Sequence, residues 1–184
     1  MRHYFAYGSN LNQRGFARRC PAAVPVGPAV LKDYKLCFRR YADISPHPGA
    51  QVAGALWRIA PAGLRALDAY EGEDYRQVVV RVVCGGTEVE AIAYMMHAPG
   101  PLAPPELAYY REIVVGYRDW GLDEAPLRRA RYDTLNVGPA AAHRTSASER
   151  TPPRRAALWD PALNATGTVE ALIAPRGFSP KRRD

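Results

Sequence analysis

An α+β fold is predicted for this chain, on three observations. Strand-like runs are interspersed with a few helical ones, without the regular alternation of a βαβ series. Seventeen prolines and fifteen glycines in 184 residues cut the sequence into many short elements. A 47% hydrophobic and 23% charged composition supplies enough apolar material for a core.

The elements follow in order. His3 to Tyr7 is a short apolar and aromatic strand that stops at Gly8-Ser9-Asn10, residues that favour a tight exposed turn. Leu11 to Arg19 begins a helix that Pro21 ends. Val30 to Phe38 alternates through Tyr34, Leu36 and Phe38 and is expected as strand; Asp43 to Gly49, with two prolines, as loop; Val52 to Ile59 as strand. Pro61 opens a helix at its favoured first-turn position, and Gly72 closes it. Tyr75 to Val83 and Val89 to Met96 are strands joined at Gly85-Gly86, a hairpin signal. A longer helix is expected from Pro104 or Pro105 to Asp119, stopped by Gly121, with a further helical turn or two over Pro126 to Tyr132. Ala140 to Arg155 reads as a flexible linker, and Thr168 to Ala174 as a last strand. Two regions are therefore expected: a domain over residues 1–138, and a basic linker and C-terminal extension over 139–184 that docks on it.

The net charge of +7 invites a nucleic-acid reading, but its distribution opposes it. From Pro139 onward eight basic residues face four acidic ones, so the tail carries +4 and the remainder only +3. A phosphate-binding surface needs clustered cations, and the N-terminal part has only short pairs, Arg18-Arg19 and Arg39-Arg40, expected on a solvated face. Cys20, Cys37 and Cys84 are odd in number and widely spaced, which speaks against a disulfide framework or a zinc site. The four histidines are scattered and suggest neither a metal site nor a triad. No segment has the pattern of a signal peptide or the length of a bilayer span, so a reducing, cytoplasmic location is the expectation.

Two constellations can carry chemistry. In Tyr4-Phe5-Ala6-Tyr7-Gly8-Ser9-Asn10-Leu11, a strand runs into a small turn whose backbone N–H groups can form an anion-binding nest; an ordinary turn after an edge strand fits the same letters. Ser9 lacks the glycine pattern of a nucleophile elbow. In Leu64 to Gly72, Leu64, Leu67 and Glu71 fall at i, i+3 and i+7 on one helix face. That face is apolar, so Glu71 either points inward, where desolvation raises its proton affinity as a general acid/base needs, or reaches solvent from a frayed helix end. Asp68 and Glu73 are expected as surface and loop carboxylates.

Together these segments resemble the γ-glutamylcyclotransferase-like superfamily. Tyr4 to Leu11 is similar to its N-terminal substrate loop, and Leu67-Asp68-Ala69-Tyr70-Glu71-Gly72 to its Leu-Asp-x-x-Glu-Gly segment. Gly54-Ala55-Leu56-Trp57 resembles the strand before that helix, and Ala93 to Met96 a later strand. Pro104 to Leu122, with Tyr109, Gly116 and Gly121, resembles the helix after that. The resemblance covers about Tyr4 to Arg131.

The resemblance implies a small mixed β-barrel flanked by helices. It assigns Glu71 as the acid/base and Tyr7, Gly8, Ser9, Asn10 and Leu11 to substrate binding. Tyr109 is a cavity tyrosine, with Tyr110 its rival by one residue of helix register, and Tyr75 and Tyr94 are further candidates. The implied reaction needs no metal or other cofactor. It cyclises a small-molecule γ-glutamyl substrate to 5-oxoproline and releases an amine, and nucleic acid and membrane partners are not expected. A γ-glutamylated natural-product intermediate is an alternative donor. A non-catalytic pocket protein that binds a small amide is an alternative of another class. Two features depart from the family pattern: Tyr117 stands where relatives often have a smaller residue, and the segment from about Ala140 has no family counterpart. The sequence sets no oligomeric state.

Overall fold

The structure, a computed structural model, describes residues 1–136. The linker and strand expected beyond Ala140 therefore lie outside the described residues. Five strands, β1 (Arg2–Ala6), β2 (Val24–Arg39), β3 (Tyr41–Ile59), β4 (Tyr75–Cys84) and β5 (Thr87–Met96), close into a barrel in the order β1-β3-β2-β4-β5. Four helices accompany them: α1 (Gln13–Arg19), α2 (Pro61–Glu71), α3 (Leu107–Asp119) and α4 (Ala125–Leu135). Neighbouring strands are antiparallel except at the seam, where β1 meets β5 in parallel at Tyr4 and Ile92. Closure removes the free sheet edge that an open five-stranded sheet would expose. The mixed barrel with flanking helices is the architecture the resemblance implied.

Two expectations about strands are corrected. β2 begins six residues before Val30, and the loop expected over Asp43 to Gly49 is part of β3. Prolines were the reason to expect a loop, yet Tyr34 pairs with Pro46 and Lys35 with Ser45. The β2–β3 hairpin accommodates them because Pro46 and Pro48 stand at its exposed far portion, where a missing N–H leaves nothing unpaired in the interior. A bulge between Lys32 and Tyr34 also lets the ladder step past, with Asp33 at φ 61 and its carboxylate accepting the Gly49 N–H at 2.9 Å. The β4–β5 turn is as expected: Gly85 and Gly86, at φ 57 and 80, form the two-residue connection between Cys84 and Thr87. α3 starts at Leu107, two residues past Pro105, and α4 runs to Leu135, past Tyr132.

The helices are held to the barrel by aromatic packing. Tyr4 and Trp57 are cross-strand partners, and Phe16 of α1 lies on both, with ring centroids 5.6 and 4.5 Å away. Trp120, just past α3, meets Trp57 edge-on at 5.1 Å and donates its indole N–H to the Leu11 carbonyl at 2.8 Å. Trp57 and Trp120 are thus packing residues. α3 comes close to the chain after β1 because residue 116 is glycine: a Cβ there would lie 2.4 Å from Leu11 Cβ and 2.6 Å from the Asn12 nitrogen. Asn12 caps α1 by accepting the Gly15 N–H at 2.8 Å. These contacts fix the segment between β1 and α1 on both sides, and that segment carries the site.

Candidate active site

β1 ends at Ala6, and the chain turns through Tyr7 and Gly8 into a 3-10 turn, Ser9–Leu11. The turn closes through Leu11 N–H to the Gly8 carbonyl at 3.0 Å and Asn12 N–H to the Ser9 carbonyl at 3.2 Å. Gly8 sits at φ −116, so a left-handed backbone is not what requires glycine here. Space requires it: a Cβ on Gly8 would lie 3.2 Å from Ala42 Cβ and 3.5 Å from the Tyr109 hydroxyl.

Glu71 closes α2 and, with Leu67, is one of that helix's two buried residues, the inward of the two alternatives that the spacing left open. It is only 5% exposed. Its Oε1 accepts the Asn10 Nδ2–H at 3.1 Å, and the same amide nitrogen donates to the Tyr4 hydroxyl at 2.8 Å. Asn10 Oδ1 in turn accepts from Arg19 Nη1 at 3.0 Å, while the Arg19 guanidinium lies 4.4 Å from the centroid of the Tyr70 ring. Both amide hydrogens and the oxygen of Asn10 are therefore engaged. Its side chain holds Glu71 instead of standing open beside Ser9. Leu11, fully buried against Gly116, likewise fastens the turn to α3.

The tyrosines form the second half of the site. The Tyr109 hydroxyl stands beside Gly8 and Ser9 and accepts the Ala42 N–H at 3.2 Å. Burial pushes its phenol upward in pKa, against the hydrogen bonds from Ala42 and Ser9. Tyr110 turns the other way, its ring meeting Phe38 edge-on and carrying the Arg131 guanidinium at 4.9 Å. Of the two rivals, Tyr109 is the one beside the turn. Tyr75 donates to the Ala42 carbonyl at 2.7 Å, so the two phenols grip the same peptide segment of β3. Burial, then the nearby Tyr109 and Tyr7 groups, raise the Tyr75 phenol well above its ordinary value. The Tyr7 hydroxyl donates to the Tyr94 carbonyl. The Tyr94 hydroxyl points elsewhere and donates to Asp68 at 2.7 Å; burial and that carboxylate raise its pKa.

Several residues went unrecognised in the sequence. Arg19, expected on a solvated face as half of Arg18-Arg19, is half-buried against Asn10 and Tyr70. Ala42 contributes its backbone N–H and carbonyl to the two phenols and its methyl to the wall beside Gly8, which no side-chain pattern announces. Asp43 is buried, accepting the Met96 N–H at 3.0 Å and the Arg39 Nε–H at 3.3 Å. Glu112 of α3 is buried against Asn12, which donates to it at 2.8 Å; burial raises its carboxyl while Arg19 and Arg18 draw it down. One signal was available: Glu112 recurs with Tyr109 and Gly116 on the helix face that meets the turn.

Other side chains fall outside this arrangement. Tyr117 is fully buried, its hydroxyl without a hydrogen-bond partner among the described residues. Cys20 and Cys37 are buried free thiols whose burial raises their pKa, away from the thiolate a nucleophile needs. Among the described residues no group of three or more His, Cys, Asp or Glu side chains could hold a metal ion, and no helix is long and apolar enough to cross a membrane.

Comparison with known proteins agrees with this geometry. The family model described as "Gamma-glutamyl cyclotransferase, AIG2-like" matches residues 4–121. That span contains the turn, Glu71 and Tyr109. The gamma-glutamylcyclotransferase of Mus musculus is 32% identical over 137 residues, covering 66% of this chain and 72% of the relative. The Homo sapiens gamma-glutamylcyclotransferase is 33% identical over 135 residues, covering 65% and 71%. A solved structure described as "Gamma-glutamyl cyclotransferase" superposes with a TM-score of 0.62 at 28% identity, covering 80% of this chain and 94% of the other. Sequence, barrel and relatives agree: this chain belongs to the γ-glutamylcyclotransferase, AIG2-like family and is an enzyme of that type.

Proposed function

We propose that this enzyme converts an L-γ-glutamyl amine or γ-glutamyl amino acid into 5-oxoproline and the free amine, by intramolecular aminolysis. The free α-amine of the γ-glutamyl group attacks its own γ-carbonyl carbon. A C–N bond forms to close the five-membered ring, and the bond from that carbon to the leaving nitrogen breaks. Glu71 takes a proton from the attacking amine and returns it to the departing nitrogen, so no net proton is consumed. The observation that carries this reading is a buried carboxylate at a helix end, held by an amide of the very turn the substrate must meet. Burial strips water from Glu71, and Asn10 replaces it at one oxygen, so the carboxylate meets the substrate already oriented.

The remaining roles follow from position. Backbone N–H groups at the start of the Ser9–Leu11 turn receive the substrate's oxygen charge, including the oxyanion of the tetrahedral intermediate. Tyr7, Gly8, Ser9 and Tyr109 define the wall against which the γ-glutamyl group lies. Tyr75 and Tyr94 support that wall from behind, through Ala42 and Tyr7. The reaction as written requires no cofactor. Three free thiols in the chain are in keeping with a reducing, cytoplasmic setting.

The test is 5-oxoproline release across a panel of γ-glutamyl amino acids, γ-glutamyl-ε-lysine and simple γ-glutamylamines. Release from at least one donor is expected, with the matching amine in equal amount. Saturable binding of the panel with no 5-oxoproline would instead establish a non-catalytic pocket protein.

A further inference from the structure

We propose that Arg19 is a positioning residue for the cyclisation, acting on Glu71 through the side chain of Asn10 and fixing which carboxyl oxygen is left to carry the proton. This rests on the catalytic role given to Glu71 above. A primary amide can sit in either of two orientations, differing by exchange of its oxygen and nitrogen. The observed one turns Nδ2 toward Glu71 Oε1 and the Tyr4 hydroxyl, and Oδ1 toward Arg19. While Glu71 is ionised, the opposite orientation would set Oδ1 against a carboxylate oxygen, two acceptors facing each other, and is disfavoured without any help. Once Glu71 holds the proton taken from the substrate, that objection disappears, because a carboxylic O–H could donate to a turned Oδ1.

Arg19 can prevent that reorientation. A guanidinium only donates and stays charged throughout the working pH range, so only Oδ1 can face it, whatever the state of Glu71. Asn10 then keeps an N–H aimed at Oε1 through the whole cycle. A proton on Oε1 would collide with that N–H, so the proton resides on Oε2, ready for the leaving nitrogen. The structure holds Arg19 in place for this task. Its guanidinium lies over Tyr70, the residue preceding Glu71. Its charge also offsets the burial of Glu112, while Arg18 adds a second, exposed cation to that side.

The experiment compares Arg19→Met, Arg19→Lys and Arg19→Gln with wild type, alone and combined with Asn10→Ala. Loss of the lock should lower kcat by about tenfold to a hundredfold in Arg19→Met, with KM within about threefold, because the substrate pose survives and proton placement does not. Lysine, also donor-only, should recover more of kcat than glutamine, which can present either a donor or an acceptor. In the Asn10→Ala background, Arg19→Met should cost less than about twofold more, since its route to Glu71 is already cut. Full additivity, or glutamine matching lysine, would overturn the proposal. A second readout does not need turnover: the side-chain N–H₂ resonances of Asn10 should be well dispersed and slow to exchange in wild type and lose both properties in Arg19→Met, or in Arg19→Gln if the methionine variant does not fold. Unchanged Asn10 resonances sink the positioning role whatever the activity. A folded wild type that releases no 5-oxoproline sinks the catalytic reading, leaving the Asn10 resonances to decide whether Arg19 orients that amide.

Discussion

Replacing Glu71 by glutamine separates catalysis from architecture, because the structure predicts very different magnitudes for the two. Glutamine keeps a carbonyl oxygen where Oε1 accepts the Asn10 N–H at 3.1 Å, so the link from α2 to the turn survives. A charge-assisted hydrogen bond becomes a neutral one, a loss of about 1 kcal/mol at most. For a chain of this size that is roughly 2–4 °C in Tm. The chemical cost is far larger, since an amide cannot carry a proton from one nitrogen to another. Acid/base catalysis is worth roughly a hundred- to ten-thousand-fold, or about 2.7 to 5.5 kcal/mol of barrier. The assay is 5-oxoproline release at saturating substrate, beside thermal melting of the same preparation. A kcat at least about a hundredfold down with a near-native Tm is expected. A well-folded Glu71→Gln protein that turns over within a few-fold of wild type would refute the assignment of Glu71 as acid/base.

The other substitutions probe the support of that carboxylate. Asp68→Asn, one helical turn earlier, leaves an acceptor for the Tyr94 hydroxyl and Gln77, so kcat should fall less than about tenfold and stability by about 1–2 kcal/mol, read by turnover and denaturant titration. Gly8→Val adds methyl groups to a position where even the Cβ would press on Ala42 Cβ and touch the Tyr109 hydroxyl, and should reduce kcat/KM by about a hundredfold; an unchanged KM and kcat would remove the turn from the site. Gly116→Ala places a methyl 2.4 Å from Leu11 Cβ and 2.6 Å from the Asn12 backbone nitrogen, which must move; a loss of about 1–3 kcal/mol in melting experiments, with activity falling alongside, is expected.

Two of these positions show what a one-dimensional reading can reach. Glu71 was partly legible because an α-helix converts spacing into direction: spacing put residue 71 on the face of Leu64 and Leu67, leaving an inward carboxylate or a frayed, solvated end, and the fold takes the first. The Gly8-Ser9-Asn10 turn was legible because small turn-forming residues after a strand leave few alternatives. The Gly85-Gly86 hairpin followed for the same local reason, both residues requiring positive φ. Prolines in this segment do not mark a loop. Pro46 and Pro48 sit inside β3, because whether a missing N–H matters depends on which side of the strand faces a partner, and the partner is fixed by the barrel.

The sequence by itself thus determined the α+β class, the order of the elements, the helix face that carries Glu71 and the turn after β1, all set by local interactions along the chain. Tertiary structure alone decided what those groups meet. Arg19 looked like surface charge until α1 packed Phe16 on Tyr4 and Trp57 and brought the guanidinium to Asn10. Tyr109 and Tyr110 were indistinguishable until α3, drawn in at Gly116, set one hydroxyl beside Gly8 and the other ring on Phe38. Ala42 joined the site through its backbone, which Tyr75 and Tyr109 reach from a distant strand and helix, and through its methyl beside Gly8. Local sequence sets the direction in which a side chain leaves its own element; barrel closure and helix docking set which groups stand at the other end of it, and a hydrogen bond needs both.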